Sequence, residues 1–118
     1  MRRKYAHIKC VRVARKYYLA MQLGGACSVC GYNENMASLV FHHQCADDKL
    51  IEINGPALSD NPLPTLEAEI KKCVLLCANC HNTAHNSKLT AANIKAMMED
   101  ITLNKISYAS AAIKYLSA

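Results

Sequence analysis

Two Cys-x-x-Cys pairs supply the most specific chemistry in this sequence. The first pair is Cys27 and Cys30, and the second pair is Cys77 and Cys80. Pairs at this spacing are typical of tetrahedral zinc sites, and two pairs provide all four ligands of a closed structural site. The sequence therefore predicts a structural Zn²⁺ held by these four thiolates.

Four histidines lie between and after these pairs. His42 and His43 are adjacent, while His81 directly follows the second pair and His85 comes four residues later. A spacing of four puts two imidazoles on one helix face, within reach of one ion. A metal held by three histidines keeps positions open for water and phosphate oxygens, and a fourth histidine can accept a proton near neutral pH. The pattern predicts a second, reactive metal site for phosphodiester hydrolysis.

Positive charge is concentrated at the start of the chain. The net charge is +5 over 118 residues, and basic side chains crowd the first sixteen positions with no acidic residue among them. Such asymmetry favours a polyanionic partner, although a solvated basic helix is the alternative interpretation. The predicted nucleic-acid contacts are Arg2, Arg3, Lys4, Lys9, Arg12 and Lys16.

Hydropathy and cysteine usage indicate the compartment. No apolar run approaches the roughly 18 residues that a membrane-spanning helix needs, and the N-terminus lacks the pattern of a secretory signal. We therefore expect a cytoplasmic protein with no membrane association. Cysteines are kept reduced in that compartment, which favours zinc ligation over disulfide bonds.

Short strands and helices must bring these residues together. Two predicted strands lead into the histidine doublet and into the second cysteine pair, at 38–43 and 73–76. Helices are predicted at 4–23, 65–72, 78–86, 87–100 and 106–116. The polar segment 44–64 reads as a long loop with a short strand near 50–53.

These motifs together resemble the HNH nucleases, whose core is the ββα-metal fold. The matching stretches are Gly-Gly-Ala-Cys-Ser-Val-Cys-Gly31, Leu-Val-Phe-His-His43 and Lys-Lys-Cys-Val-Leu-Leu-Cys-Ala-Asn-Cys-His-Asn-Thr-Ala-His85. The resemblance implies an α+β fold in a single domain, 1–118. Its parts would be a basic helix at 1–23, a zinc-containing ββα-metal core at 24–87 and a helical extension at 88–118.

The resemblance also implies a role for each histidine. His42 would bind the catalytic divalent metal with His81 and His85, and His43 would act as the general base. The metal would be Mg²⁺, Mn²⁺, Ni²⁺ or Zn²⁺, and the substrate would be DNA, with the double-stranded form favoured. Two symmetric copies would suit double-strand cleavage, whereas a monomer would more naturally nick. Bacteria and phages encode proteins of this kind.

Lys72 departs from the family pattern, and two other functions compete with nuclease activity. Lys72 stands where the family usually has an asparagine that braces the loop and orients the base. A non-catalytic zinc-binding module that recognises nucleic acid is therefore the main alternative. A zinc-dependent nucleobase deaminase is disfavoured, because that chemistry needs a His-x-Glu motif and a proline where Leu76 precedes Cys77.

Overall fold

A computed structural model describes residues 2–117 of the chain. In this part the protein has an α+β fold with six α-helices and a two-stranded antiparallel sheet, which confirms the predicted class. The elements are α1 (Arg3–Gln22), β1 (Leu39–His43), α2 (Gly55–Asp60), α3 (Leu63–Ile70), β2 (Cys73–Cys77), α4 (Ala78–His85), α5 (Ala91–Leu103) and α6 (Tyr108–Ala111). Single 3₁₀ turns lie at Met36–Ser38 and Ala46–Asp48, and a π-helical turn follows α6 at Ala112–Leu116.

The sheet positions the histidine doublet against the second cysteine pair. Leu39 lies opposite Cys77 and His43 lies opposite Cys73, with the strands antiparallel. Burial alternates along β1, because successive side chains of a strand point to opposite faces. His42 and His43 therefore face opposite sides of the sheet, and His43 is on the buried side with Phe41.

Helix α1 packs one face onto the core and presents another to solvent. Leu19 is fully buried, and Gly24 and Gly25 end the helix region with φ angles of 96° and 71°, which glycine adopts readily. The Arg15 guanidinium donates through Nη1 to the carbonyl oxygen of Leu58 at 2.9 Å. Part of the basic helix thus contributes to the fold.

The segment predicted as a long loop contains a helix and lacks the predicted strand. Asn54 begins α2 by accepting a hydrogen bond from the Ala57 N–H at 3.0 Å. No strand forms at residues 50–53. The backbone N–H groups of Leu50 and Ile51 donate instead to the Glu69 carboxylate, at 3.1 and 3.5 Å. A buried side chain has replaced the strand partner that these N–H groups would need.

The chain divides into two compact units, with the boundary after His81 in α4. The first unit has an apolar core whose fully buried side chains are Leu19, Leu39, Leu66, Ile70 and Leu75. In the second unit, the Asp100 carboxylate accepts from Lys114 at 2.7 Å and from Tyr115 at 2.8 Å. Over residues 2–117, no helix is both long and apolar enough to cross a bilayer.

Candidate metal centres

The four cysteine sulfurs of the two pairs form one cluster. The Sγ atoms of Cys27, Cys30, Cys77 and Cys80 all lie within 4.8 Å of one another. The Cys30 and Cys77 sulfurs are 3.6 Å apart. Two sulfurs bound to a tetrahedral zinc at about 2.3 Å lie roughly 3.8 Å from each other. Disulfide-bonded sulfurs would be only about 2.05 Å apart. The thiol cluster therefore fits a structural zinc site.

Both cysteine pairs have the same local geometry. The Cys30 N–H donates to Cys27 Sγ at 3.5 Å, and the Cys80 N–H donates to Cys77 Sγ at 3.4 Å. Gly31 has a φ of 81°, which allows the chain to turn away after the first pair. A backbone hydrogen bond from Ser28 to the carbonyl of Leu75, at 2.8 Å, joins this turn to β2.

The cluster is electrostatically suited to a cation. Burial raises the pKa of Cys27, but the backbone N–H groups of Cys30, Cys77 and Val29 together lower the pKa to about 6. The pKa of Cys80 rises to about 12, chiefly because its sulfur shares a hydrogen bond with Cys77 and is also desolvated. Close thiolates repel one another, so a divalent cation would offset this cost and favour full deprotonation.

Three histidines form a second cluster. His42 comes from β1, whereas His81 and His85 lie one turn apart on α4, and their ring nitrogens fall within 4.8 Å of one another. The rings of His42 and His81 meet edge to face, with centroids 5.4 Å apart and planes at 75°. His42 and His81 are half-buried, and His85 is exposed. Three imidazoles suit a divalent transition metal and leave coordination positions open.

Helix α4 carries ligands of both clusters because it begins directly after β2. Cys77 ends the strand, Cys80 lies in the first turn of the helix and His81 is the next residue. A helix turns by about 100° per residue, so neighbouring side chains project in different directions. Cys80 can thus face the sulfurs while His81 joins His42.

His43 lies outside the histidine cluster. Its Nε2 atom is 2.7 Å from the Glu69 carboxylate, and only 4% of the His43 side chain and 3% of the Glu69 side chain are exposed. The two residues are 26 positions apart in the chain. The structure therefore separates the histidine doublet: His42 joins a half-buried cluster, and His43 takes a buried position hydrogen-bonded to Glu69.

Glu69 is a site residue that the sequence analysis missed. Burial raises the pKa of this carboxyl, but His43, Lys72 and the loop N–H groups outweigh that effect and lower the pKa to about 2. Lys72 Nζ lies 3.0 Å from the other Glu69 oxygen and 2.8 Å from the carbonyl of Asp48. The spacing of Glu69 and Lys72 on a helix end could have signalled their pairing, but nothing local signals the contact with His43.

Lys72 thus joins the loop after β1 to α3. Its backbone carbonyl also accepts from the Gln44 N–H at 3.1 Å. The loop is fastened at Gln44, Asp48 and Leu50 through Lys72 and Glu69. Lys72 and Glu69 therefore brace the loop that follows β1.

The predicted nucleic-acid contacts occupy different environments on α1 and its N-cap. Arg12 and Lys16 are half-buried, and the Arg12 Nε donates to Ser59 Oγ at 2.8 Å. Burial lowers the pKa of Lys16. The remaining predicted contacts are exposed, namely Arg2, Arg3, Lys4 and Lys9.

Comparison of the chain with protein-family models, with curated proteins and with solved structures finds no match. The described residues form a small α+β fold with a four-cysteine cluster and a histidine cluster. This combination is compatible with a zinc-binding module.

Proposed function

We propose that the protein is a metal-dependent endonuclease of the HNH type that hydrolyses phosphodiester bonds in DNA. The observation that supports this proposal best is the cluster of His42, His81 and His85 beside a complete set of four cysteines. A structural zinc needs four ligands, and the thiol cluster already provides them. The three imidazoles are therefore surplus to structural needs, and none of the three is fully buried.

The order of the secondary structure also supports this proposal. Strand β1 carries His42, β2 pairs with it in antiparallel fashion, and α4 follows immediately with His81 and His85. This strand, strand and helix order is the one that the resemblance to HNH nucleases implies. The clustering of the three ring nitrogens adds a spatial argument that spacing alone could not supply.

The three histidines would hold a divalent cation through neutral ring nitrogens. When bound, such a cation polarises a phosphodiester and stabilises the negative charge that develops during hydrolysis. Imidazole ligands favour Ni²⁺ or Zn²⁺ over Mg²⁺ and Mn²⁺, which prefer oxygen ligands. The exposed position of His85 leaves one side of the cluster accessible to phosphate oxygens.

His43 is the proposed general base. In the tautomer that carries its proton on Nε2, this N–H would donate a hydrogen bond to the Glu69 carboxylate, and Nδ1 of the same ring would be free to accept a proton from water. The braced loop and the carboxylate would hold the ring in one orientation. Only 4% of this side chain is exposed, and it faces the side of the sheet opposite to His42. The role therefore requires the end of β1 and loop residues 44–51 to rearrange when substrate binds.

Helix α1 would supply affinity for the DNA backbone. Its exposed cations at Arg3, Lys4 and Lys9 can neutralise phosphates, which gives salt-dependent binding with little sequence preference. Double-stranded DNA remains the proposed partner, and a homodimer would allow both strands to be cut.

A plasmid-cleavage assay with matched variants tests the proposal. Zinc-loaded wild type, His42→Ala and His7→Ala are purified identically and assayed with Ni²⁺ and, separately, with Mn²⁺. His7 is exposed on α1 and lies outside both clusters, so its substitution controls for the loss of an imidazole. We expect wild type and His7→Ala to cleave and His42→Ala to be inactive. Equal cleavage by all three proteins would reveal a contaminant and overturn the proposal.

The burial of His43 favours a second candidate function, a non-catalytic zinc-binding module for nucleic acid. A histidine that is shielded from water and hydrogen-bonded to a carboxylate can stabilise the fold without any catalytic role. Under this alternative, wild type and His42→Ala would bind DNA with the same affinity. No cleavage would occur with Mg²⁺, Mn²⁺, Ni²⁺ or Zn²⁺.

A further inference from the structure

A cavity of about 620 Å³ opens beside the histidine cluster within the first unit. His81, which belongs to that cluster, lines the cavity, and α1 and β1 provide two of its walls. We call it the α1–β1 cavity, and its lining includes Arg12, Lys16, Met36, Val40, Ile53 and His81. This volume lies within the range of about 300–1,000 Å³ that is typical of small-molecule sites.

One wall of the α1–β1 cavity is cationic. Lys16 is half-buried, and no carboxylate within residues 2–117 forms an ion pair with it. Desolvation alone lowers the pKa of Lys16, because burial disfavours the charged ammonium group. An anion next to this group would stabilise its charged form. Arg12 lines the same wall, and its bond to Ser59 fixes the direction of the guanidinium. Together these groups suit a phosphate.

The floor of the cavity is apolar. Phe41 and Ile53 are buried and Met36 and Val40 are half-buried, so a flat ring could lie against them without losing hydrogen bonds. Apolar and thioether side chains commonly cover the faces of nucleobases in protein pockets.

Two asparagine side chains with fixed orientations lie at the rim of the cavity. Asn35 and Asn54 each accept a backbone N–H through Oδ1, at 2.8 and 3.0 Å, so their amides are held in one orientation. Glu52 is the one acidic residue among those that line the cavity in the described chain, and Lys49 pairs with it at 2.6 Å. The negative charge of Glu52 is therefore offset by Lys49. The arrangement combines a phosphate site, an apolar floor and amide groups that can bond the edge of a base.

We propose that the α1–β1 cavity binds one unpaired nucleotide, with its phosphate at Lys16 and Arg12 and its base on the apolar floor. This inference rests on the proposed nuclease function, whose double-stranded substrate it narrows to sites where a base is unpaired. A single strand presents such bases along its whole length. A base stacked in a duplex cannot enter a cavity of this size without leaving its neighbours. The bound nucleotide would place the adjoining phosphodiester next to His81.

Binding of small probes tests the cavity without any cleavage. The zinc-loaded full chain is titrated with thymidine 5′-monophosphate, thymidine or inorganic phosphate while backbone amide signals are recorded by NMR. We expect thymidine 5′-monophosphate to shift the amides of Ala37, Val40 and Gly55 saturably. We expect thymidine and inorganic phosphate to bind at least about tenfold more weakly, because each makes only part of the contacts. The absence of saturable shifts at these amides would overturn the inference.

Matched substitutions locate the binding. Lys16→Ala removes one of the two cations that line the cavity within residues 2–117, and Lys71→Ala removes an exposed cation just after α3 that does not line it. Ala37→Trp fills the cavity from an exposed position, and Ala68→Trp adds the same bulk on α3. We expect Lys16→Ala to weaken nucleotide binding about ten- to a hundredfold and Ala37→Trp to abolish it. Each control should bind as wild type does, and equal losses in variant and control would contradict the inference.

Cleavage of matched single-stranded and duplex oligonucleotides separates the two proposals. If both stand, the single strand is cut faster and Ala37→Trp removes that preference. Nucleotide binding at the cavity without any cleavage would overturn the nuclease function and leave the nucleotide site supported. Cleavage by Ala37→Trp that is equal to wild type on the single strand would overturn the nucleotide site and leave the nuclease function supported. Mononucleotide binding that oligonucleotides do not compete away would overturn the link between the cavity and a nucleic-acid substrate.

Discussion

The thiol cluster and the histidine cluster share α4 but differ in enclosure. Two of the four cysteines are buried, and backbone N–H groups donate to sulfur in both pairs. Each cluster has one exposed member, but none of the three histidines is buried. Structural zinc sites are closed by protein ligands, whereas catalytic sites keep a position open. The difference predicts that loss of a sulfur ligand damages the fold, whereas loss of an imidazole ligand damages only binding and activity.

The largest expected effect follows from removing one sulfur ligand. Cys77→Ser should lose zinc and unfold, because a structural zinc contributes on the order of 10 kcal/mol to folding in small zinc domains. Zinc content and thermal unfolding measured together check this expectation. Cys45→Ser is the matched control, since Cys45 is exposed and outside the cluster. Unchanged stability and zinc content in Cys77→Ser would contradict the structural assignment.

A smaller loss of stability is expected at the Glu69 carboxylate. Glu69→Ala leaves His43 and Lys72 without their buried partner, which should cost about 3–5 kcal/mol. Because the pKa of Glu69 is lowered to about 2, its contribution is complete above the ordinary carboxyl range and is lost as the pH falls toward 2. Urea unfolding of wild type and variant from pH 7 downward measures this, over the range in which zinc content recorded in parallel shows that both proteins keep the structural zinc.

The difference between the two proteins should therefore shrink as the pH falls. Glu67→Ala is a suitable control, since Glu67 lies on the same helix and bonds only the exposed groups of Tyr18 and Gln22 in the described chain. A constant difference at every pH would show that packing, and not the charge of Glu69, accounts for the loss.

The smallest effect on stability is expected at the histidine cluster. His42→Ala should remain folded and keep one zinc per chain, because the thiol cluster is untouched. Its affinity for a second metal equivalent should fall at least about tenfold. Calorimetric titration of Mn²⁺ or Zn²⁺ into the zinc-loaded protein measures this, with His7→Ala as the control. Unfolding of His42→Ala would show that the histidine cluster supports the fold as the thiol cluster does, and would contradict the comparison.

Local spacing anticipated most of the elements that carry the ligands. The geometry of each cysteine pair depends on residues only a few positions apart, and so does the helix that carries His81 and His85. The structure contains both cysteine pairs in one cluster and contains this helix. The strand expected near 50–53 is absent because Glu69 satisfies the N–H groups of Leu50 and Ile51. A loop N–H can be bonded by a side chain far away in sequence, and no local pattern reveals that.

The opposite environments of His42 and His43 show the same limit of prediction from local sequence. Alternation along a strand indicated that His42 and His43 would separate, but not which of them would be buried. That choice depended on α3, which brings Glu69 to one face, and on α4, which brings His81 to the other. The bracing role of Lys72 likewise required the loop carbonyl of Asp48 to be near.

The sequence by itself determined the ligand types, their spacing and the basic character of the first helix. These properties depend on residue chemistry and on contacts within one helical turn or one cysteine pair. Only the tertiary structure decided that His43 pairs with a buried carboxylate 26 residues away and that a cavity forms between α1 and β1. Such contacts arise when packed elements exclude water together, so their geometry is a property of the whole core.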